Sequence, residues 1–181
     1  MVEKPTIAID SHKTETLAPP DKARPVPTRD RGAEAVARGI ARMFARNDIW
    51  CLAEMPLRNN RRADLMGIDA KGHVIIVEIK VARSDLLGDS KWPDYLDHCD
   101  RFYWGVPPDL NRTPLDGEGY LPDSCGVIVA DGYDAEILRP APLLPLAAAR
   151  RKVEVERLAR AALRRHYGQS DARFGQAVRP K

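Results

Sequence analysis

Apolar residues after Arg31 first recur with the period of an α-helix. The stripe follows i, i+3, i+4, i+7, i+8 and i+11, which predicts an amphipathic helix, and it consists of Ala33, Val36, Ala37, Ile40, Ala41 and Phe44. Thr28 and Asp30 are candidates for its N-cap. Glu34 lies beside the stripe, so we expect its side chain to point along the neighbouring sheet rather than into bulk water.

The pattern then changes to short apolar runs, which are typical of β-strands. Such runs, bounded by proline, glycine or other turn residues, occupy residues 49–55, 63–68, 73–80, 101–106, 126–130 and 135–138. Two short helices are predicted between the third and fourth runs, the first capped by Ser84 and ended by Gly88, the second over residues 90–98. Residues 111–123 are turn-rich and are expected to be irregular. A second helical stripe predicts a C-terminal helix over about residues 146–167.

The second and third strands are predicted to form a β-hairpin. Their connection ends in Gly72, and glycine adopts the left-handed conformation that a three-residue loop with a bulge requires. This loop pairs Asp69 with His73, and the same register places Asp64 opposite Glu78.

Three charged side chains are therefore gathered on one face of the hairpin. Strand side chains alternate between faces, so Asp64, Glu78 and Lys80 share a face. Opposed residues have Cβ atoms about 4.5–5.5 Å apart, where two carboxylates repel each other and raise each other's pKa. A divalent cation reverses this effect, and Mg²⁺ keeps several waters, so it needs few protein oxygens. The pattern indicates metal-assisted phosphodiester hydrolysis, with Lys80 positioning a water or neutralising a phosphate oxygen. The alternative is a solvated sheet surface with alternating charges.

Composition and charge favour one α/β domain between two tails. The 181 residues carry 29 Lys and Arg against 26 Asp and Glu, a net charge of only +3, which is weak support for a nucleic-acid partner. The charge is unevenly distributed, because residues 150–165 hold seven basic against two acidic side chains. Residues 1–28 are rich in proline and poor in large apolar groups, which predicts a flexible tail. The domain is expected over residues 29–167, and residues 168–181 are expected to fray.

The cysteines and the apolar segments bear on location. Cys51, Cys99 and Cys125 are odd in number and lack a Cys-x-x-Cys spacing, which is typical of reduced thiols. No apolar run approaches the length of a membrane span, and the N-terminus lacks the apolar core of a signal peptide. We therefore expect a cytoplasmic protein with no membrane association.

The order of elements and four local motifs resemble a known family. Asp stands on the second strand and Glu-x-Lys on the third, as in the PD-(D/E)XK nuclease superfamily. The motifs resemble the MmcB-like family of bacterial DNA repair proteins, which is placed in that superfamily, over about residues 31–166, and they are Arg61-Arg62-Ala63-Asp64, Val77-Glu78-Ile79-Lys80, Lys91-Trp92-Pro93-Asp94-Tyr95-Leu96-Asp97 and Asp100-Arg101-Phe102-Tyr103. The resemblance implies a restriction-endonuclease-like core of helix, three-stranded antiparallel meander, helix and strand, with a mixed central sheet flanked by helices.

The resemblance also implies roles for individual residues. Asp64 and Glu78 would bind Mg²⁺ or Mn²⁺, the Ile79 carbonyl would add a ligand, and Lys80 would orient the attacking water. Glu34 is a candidate for a further ligand. Ala63 replaces the proline of the superfamily motif, which removes no reactive group. Residues expected to contact DNA are Arg61, Arg62, Lys91, Trp92 and Tyr95.

Several of these residues have a structural alternative. Lys91 and Tyr95 stand where exonuclease-like members have Gln and Tyr, so substrate handling does not carry over from those members. Trp92 either stacks on a base or packs between helix and sheet. Asp85, Asp89 and Asp94 either contact the metal site or act as helix caps and loop residues. The basic C-terminal helix either binds the DNA backbone or is a solvated face.

Three functions are consistent with the sequence. The first is a DNA repair nuclease that uses Mg²⁺ or Mn²⁺ to cut or trim DNA. The second is a DNA-binding accessory factor without turnover, which recruits other repair proteins. The third is a structural or protein-interaction module in which Glu-x-Lys is only a sheet surface.

Overall fold

Residues 32–171 are described by a computed structural model, which contains one six-stranded mixed sheet flanked by helices. The strands lie in the order of the chain: β1 (Trp50–Pro56), β2 (Arg62–Ile68), β3 (Val74–Ile79), β4 (Arg101–Val106), β5 (Cys125–Ala130) and β6 (Ala135–Arg139). The helices are α1 (Ala33–Arg46), α2 (Arg83–Gly88) and α3 (Ala148–Ser170), and short 3₁₀ helices occupy Trp92–His98, Thr113–Asp116 and Glu118–Tyr120. The expected mixed α/β architecture is confirmed.

Strand direction changes in the middle of the sheet. β1, β2 and β3 form an antiparallel meander, β3 and β4 are parallel, β4 and β5 are parallel, and β5 and β6 are antiparallel. A parallel pair needs a crossover connection. Between β3 and β4 this crossover is formed by residues 80–100, which include α2 and the 3₁₀ helix Trp92–His98.

The hairpin forms in the predicted register. The Asp69 N–H donates to the His73 carbonyl at 3.1 Å, and Gly72 has φ of 80°, the left-handed conformation that the turn requires. Further along, Leu65 pairs with Val77. In the same register, Asp64 and Glu78 follow Leu65 and Val77, where the strand pairing ends.

Each face of the sheet has its own apolar core. α1 packs on one face through Val36, Ile40 and Phe44, which meet Ile75 and Val77 of β3. α3 and the 3₁₀ helix Trp92–His98 cover the other face, where the core comprises Met66, Val74, Ile76, Trp92, Tyr95, Phe102, Trp104 and Leu158. The central strand β3 is therefore buried along its whole length, whereas the edge strands β1 and β6 are largely exposed.

Close packing and a buried carboxylate fix the two long helices. A Cβ added at Gly39 of α1 would lie 2.2 Å from the Asp131 carbonyl oxygen, so the helix touches the β5–β6 turn through a glycine. On the other face, Asp100 accepts the N–H groups of Val74 and Leu146, each at 2.8 Å, and pairs with Arg151 of α3. Asp100 thus joins α3 to the beginning of β3.

The helix ends differ from the sequence expectations. α1 begins at Ala33 with Gly32 as N-cap, and α2 has Ala82 as its N-cap instead of Ser84. The helix expected over residues 90–98 is a 3₁₀ helix, with Pro93 in its first turn. α3 continues to Ser170, three residues beyond the expected end. The predicted N-terminal tail and the C-terminal residues 172–181 lie outside the described residues.

Candidate metal and nucleic-acid site

Asp64 lies where strands β2 and β3 separate. Their pairing ends at Leu65 and Val77, and beyond it the Asp64 carboxylate oxygen Oδ2 accepts the backbone N–H of Ile79 at 2.7 Å. A side-chain oxygen therefore takes the position that a strand carbonyl occupies in the regular ladder. Burial raises the pKa of Asp64, although the Ile79 N–H and the charge of Lys80 act in the opposite direction.

Glu78 is a buried carboxylate with one unsatisfied oxygen. It is only 7 % exposed, its Oε1 accepts a hydrogen bond from Lys80 at 3.1 Å, and its Oε2 has no hydrogen-bond partner among the described residues. Burial, followed by the negative charge of Asp64, raises the pKa of Glu78 to about 7. A buried acceptor without a donor costs about 1–3 kcal/mol, more when it is charged, and a bound cation would remove that cost.

Lys80 is held between carboxylates. Its Nζ lies 2.7 Å from Asp89 Oδ2, 3.1 Å from Glu78 Oε1 and 4.0 Å from Asp85 Oδ1, and the residue is 5 % exposed. Burial lowers the pKa of Lys80, but the hydrogen bonds to Asp89 and Glu78 outweigh burial and hold the pKa above its usual range. The side chain is therefore a fixed ammonium group.

An open cleft of about 510 Å³ lies beside Asp64 and is lined by residues of both α1 and α3. It is lined by Ala33, Glu34, Ala37, Ala53, Glu54, Asp64, Ile79 and Arg165. Glu78 and Lys80 do not line it, and both residues are buried. Glu54 of β1 has φ of 52°, an uncommon left-handed conformation for a residue other than glycine.

The donor set fits a hard cation with few protein ligands. Within residues 32–171, no three side chains from His, Cys, Asp and Glu are arranged to hold a metal ion. Asp64 and Glu78 interact electrostatically, and Ile79, whose carbonyl is the expected third ligand, stands between Glu78 and Lys80 in the sequence. Two carboxylates, one carbonyl and several waters suit Mg²⁺. Glu34 is exposed at the cleft and is not part of a three-residue ligand set.

The residues expected to contact DNA occupy different environments. Lys91 is exposed at the start of the crossover's 3₁₀ helix. Arg62 is exposed and lies 3.5 Å from Glu54. Arg61 donates from Nε and Nη2 to Asp94 Oδ2, at 3.0 and 2.8 Å, which ties the β1–β2 connection to the 3₁₀ helix.

Trp92 and Tyr95 are packed in the core. Trp92 is 4 % exposed and its ring centroid lies 5.0 Å from that of Trp104, and the Tyr95 ring stacks on Phe102 at 6.1 Å. The Tyr95 hydroxyl donates to the Arg62 carbonyl at 3.1 Å. Of the two alternatives for Trp92, the structure has packing, and neither ring is available for stacking on a base. The reason is that the aromatic side chains of β4 need a cover, which the 3₁₀ helix supplies.

Two residues at the cleft had no signal in the sequence. Glu54 lies on the edge strand and Arg165 lies on α3, where the Arg165 Nη2 donates to the Glu54 carbonyl at 3.2 Å. They are separated by 111 positions. The basic composition of the C-terminal helix was the only indication that arginines would approach the site.

The helices bear on the expectation that the protein has no membrane association. None of the helices within residues 32–171 combines the length and the apolar character that crossing a bilayer demands.

Comparisons with known proteins place the chain in a family. The family model described as DNA repair protein MmcB-like matches residues 22–172. Among solved structures, the chain is similar to the SPO1766 protein of unknown function from Silicibacter pomeroyi, with 38 % identity and a TM-score of 0.67 over 76 % of this chain and 90 % of that one. No curated protein matches the chain. Because the family model covers most of its length, the chain belongs to the MmcB-like family of DNA repair proteins.

Proposed function

We propose that the protein is a metal-dependent deoxyribonuclease of DNA repair, built on the restriction-endonuclease-like core of the PD-(D/E)XK superfamily. Family membership supports a role in DNA repair. The order of α1, the antiparallel meander β1–β3, α2 and the parallel strand β4 is consistent with that core. DNA is the expected substrate, and other repair proteins are expected partners.

The observation that carries the proposal is the unsatisfied oxygen of Glu78 beside Asp64. Glu78 Oε2 is buried without a hydrogen-bond donor, and Asp64 adds a second negative charge to the same region. In a purely structural role Oε2 would stay without a hydrogen-bond partner, whereas buried polar groups are almost always hydrogen-bonded.

Asp64, Glu78 and the Ile79 carbonyl would hold Mg²⁺ or Mn²⁺. When bound, such an ion supplies Lewis acidity and lowers the pKa of a coordinated water. Asp64 is held in place for this role by the Ile79 N–H. Glu78 is held through Lys80, whose ammonium group donates to Oε1 and leaves Oε2 free of a donor.

Lys80 would serve as a positive charge rather than as a base. Hydrogen bonds to Asp89 and Glu78 hold its pKa above the usual range, so the group stays an ammonium, which has no lone pair with which to accept a proton from water. It would instead orient an attacking water through a hydrogen bond and offset the negative charge that develops on the phosphate. Catalysis would come mainly from positioning and electrostatics.

A cleavage assay tests this proposal. Labelled single-stranded and duplex DNA would be incubated with the full chain and Mg²⁺ or Mn²⁺, with EDTA as the metal-free control. We expect the wild type to cleave DNA, and Glu78→Gln to cleave it roughly 10²-fold or more slowly. Glu118→Gln, at an exposed carboxylate on a distant 3₁₀ helix, is the matched control and should cleave like the wild type. Equal cleavage by Glu78→Gln and wild type would reject the mechanism.

A second function, a DNA-binding accessory factor without turnover, is favoured by one observation. Lys80 and Glu78 are buried and neutralise each other, and neither lines the cleft that Asp64 reaches. This function predicts DNA binding that persists in EDTA and no metal-dependent cleavage of either DNA form.

A further inference from the structure

One flank of α3 carries arginines next to the β1–β2 connection. Val153, Arg157, Arg160 and Arg164 are spaced i, i+4, i+7 and i+11, so they share one side of the helix. Arg157 Nη2 donates to the Pro56 carbonyl at 2.6 Å, which places this side against the end of β1. We call Arg58, Arg157, Arg160, Arg164 and Arg165 the arginine surface.

The arginine surface has an excess of exposed positive charge. Arg58, Arg160 and Arg164 are exposed, and none of them forms an ion pair with another residue in the described range 32–171. The acidic residues of α3 do not compensate for them. Glu154 is buried, accepts a hydrogen bond from His98 at 2.8 Å and lies 3.6 Å from Arg157, and Glu156 pairs with Lys152 on another side of the helix.

The arginine surface connects two clefts. At one end, Arg58 and Asn59 line a cleft of about 660 Å³ together with Arg150 and Val153 of α3 and the acidic Asp97. At the other end, Arg165 lines the cleft that contains Asp64. Arg157, through its contact with Pro56, lies between these ends. Arginines therefore lie at the β1–β2 connection, along α3 and at the candidate site.

We propose that the arginine surface binds the phosphodiester backbone of DNA and leads the strand to the cleft at Asp64. The exposed guanidinium groups of Arg58, Arg160 and Arg164 fit a polyanion, because Arg binds phosphate oxygens in a bidentate manner and releases condensed counterions. The route into the cleft rests on the proposed nuclease function, whereas the binding itself does not. This surface replaces Trp92 and Tyr95, which are buried, as the principal DNA contact.

The proposal is tested by DNA binding without turnover. Fluorescence anisotropy of a labelled 20-nucleotide DNA, single-stranded or duplex, would be measured in EDTA over a range of salt concentrations. The variant is Arg160→Ala with Arg164→Ala, which keeps helix propensity because alanine is the best helix former. The control is Lys71→Ala with Lys152→Ala, which removes the same number of positive charges, one from the β2–β3 turn and one from another side of α3.

The two pairs of substitutions should behave differently. We expect the arginine variant to bind duplex DNA about tenfold or more weakly at low salt, with the slope of log K against log salt reduced by about 1.8, or about 1.4 for a single strand. The control should keep most of the wild-type affinity. An unchanged affinity in the arginine variant, an equal loss in the control, or no binding by the wild type to either DNA would overturn the proposal.

Failure of this proposal can be distinguished from failure of the nuclease proposal. Glu118→Gln, at an exposed carboxylate on another 3₁₀ helix, should bind DNA like the wild type. If the wild type shows metal-dependent cleavage and the arginine variant binds DNA as tightly as the wild type, the nuclease proposal stands and this surface is rejected. Loss of binding by the arginine variant, with no cleavage by the wild type, would support the surface and the accessory function.

Discussion

The ammonium group of Lys80 lies 2.7 Å from the carboxylate of Asp89, in the loop that follows α2. The same ammonium lies 3.1 Å from Glu78, so the last residues of β3 and the crossover are joined through one buried charge. Hydrogen bonds from Lys80 and from the Lys91 N–H outweigh burial and lower the pKa of Asp89. Asp89 therefore remains a carboxylate that fixes Lys80 beside the candidate metal ligands.

Removing the charge of Lys80 should destabilise the fold. Lys80→Met leaves Glu78 buried without its cation, and we expect a loss of about 3–5 kcal/mol in the free energy of unfolding at pH 7.5. Adding Glu78→Gln to Lys80→Met should recover part of that loss, because the second change removes the unpaired charge. Urea denaturation of the wild type, both single variants and the double variant measures the coupling. Additive effects would contradict a direct ion pair.

Glu78 should make stability depend on pH near neutrality. The pKa of Glu78 is about 7 in the folded protein and 4.5 in its ordinary state, so between these values the folded state binds more protons than the unfolded state. The stability that Glu78 contributes is therefore fully present below pH 4.5 and is lost as the pH rises to about 7. Glu78→Gln lacks this loss. Relative to the wild type, the variant should gain up to about 3 kcal/mol between pH 4.5 and pH 7.5.

Urea denaturation of the wild type and of Glu78→Gln at the two pH values measures this difference. Asp64 contributes with the same sign, because burial also raises its pKa. A difference between the two proteins that is independent of pH would show that Glu78 titrates normally.

Divalent cations should raise the melting temperature in a pH-dependent way. A cation competes with the proton on Glu78, so binding should be tighter at pH 8 than at pH 6. At a hundredfold excess over Kd the stabilisation should be roughly 2.7 kcal/mol. Asp64→Asn should lose this stabilisation. Asp116→Asn, at an exposed carboxylate on the 3₁₀ helix Thr113–Asp116, should keep it. An identical shift in wild type and Asp64→Asn would place cation binding elsewhere.

The glycines of the two long helices should respond in opposite directions to alanine. Gly39→Ala would place a Cβ 2.2 Å from the Asp131 carbonyl, so the gain in helix propensity should be exceeded by the displacement of α1 from the β5–β6 turn. Gly168 in α3 has nothing within 4 Å of the added Cβ, and Gly168→Ala should stabilise by up to about 1 kcal/mol. Thermal unfolding measures both. Stabilisation by both substitutions would contradict the close packing of α1.

The hairpin could be predicted because its information is local. The turn ending in Gly72 and the alternation of residues 74–79 determine the register, and the pairing of Leu65 with Val77 confirms it. α1 and the strands followed from their apolar period for the same reason. The N-cap of α1 did not, because Gly32 caps through its backbone and offers no side-chain signal.

Long-range contacts could not be read from the sequence. The burial of Trp92 depends on the aromatic residues of β4, and the approach of Arg165 to Glu54 depends on how α3 crosses the edge of the sheet. The number of charges in the C-terminal helix was visible, but not which of them would be paired. In the structure, Arg151 is taken up by Asp100, whereas Arg160 and Arg164 lie exposed.

The charged cluster around Glu78 is formed by neighbours in the chain, while the arginine surface is not. The Asp64–Ile79 bond joins residues 15 positions apart and the Lys80–Asp89 bond joins residues nine apart, whereas Arg157 meets Pro56 across 101 positions. Short loops close at low entropic cost, so the cluster is expected to assemble before α3 docks during folding. Partial unfolding that releases only α3 would then free a bound DNA strand and leave the charged cluster around Glu78 intact.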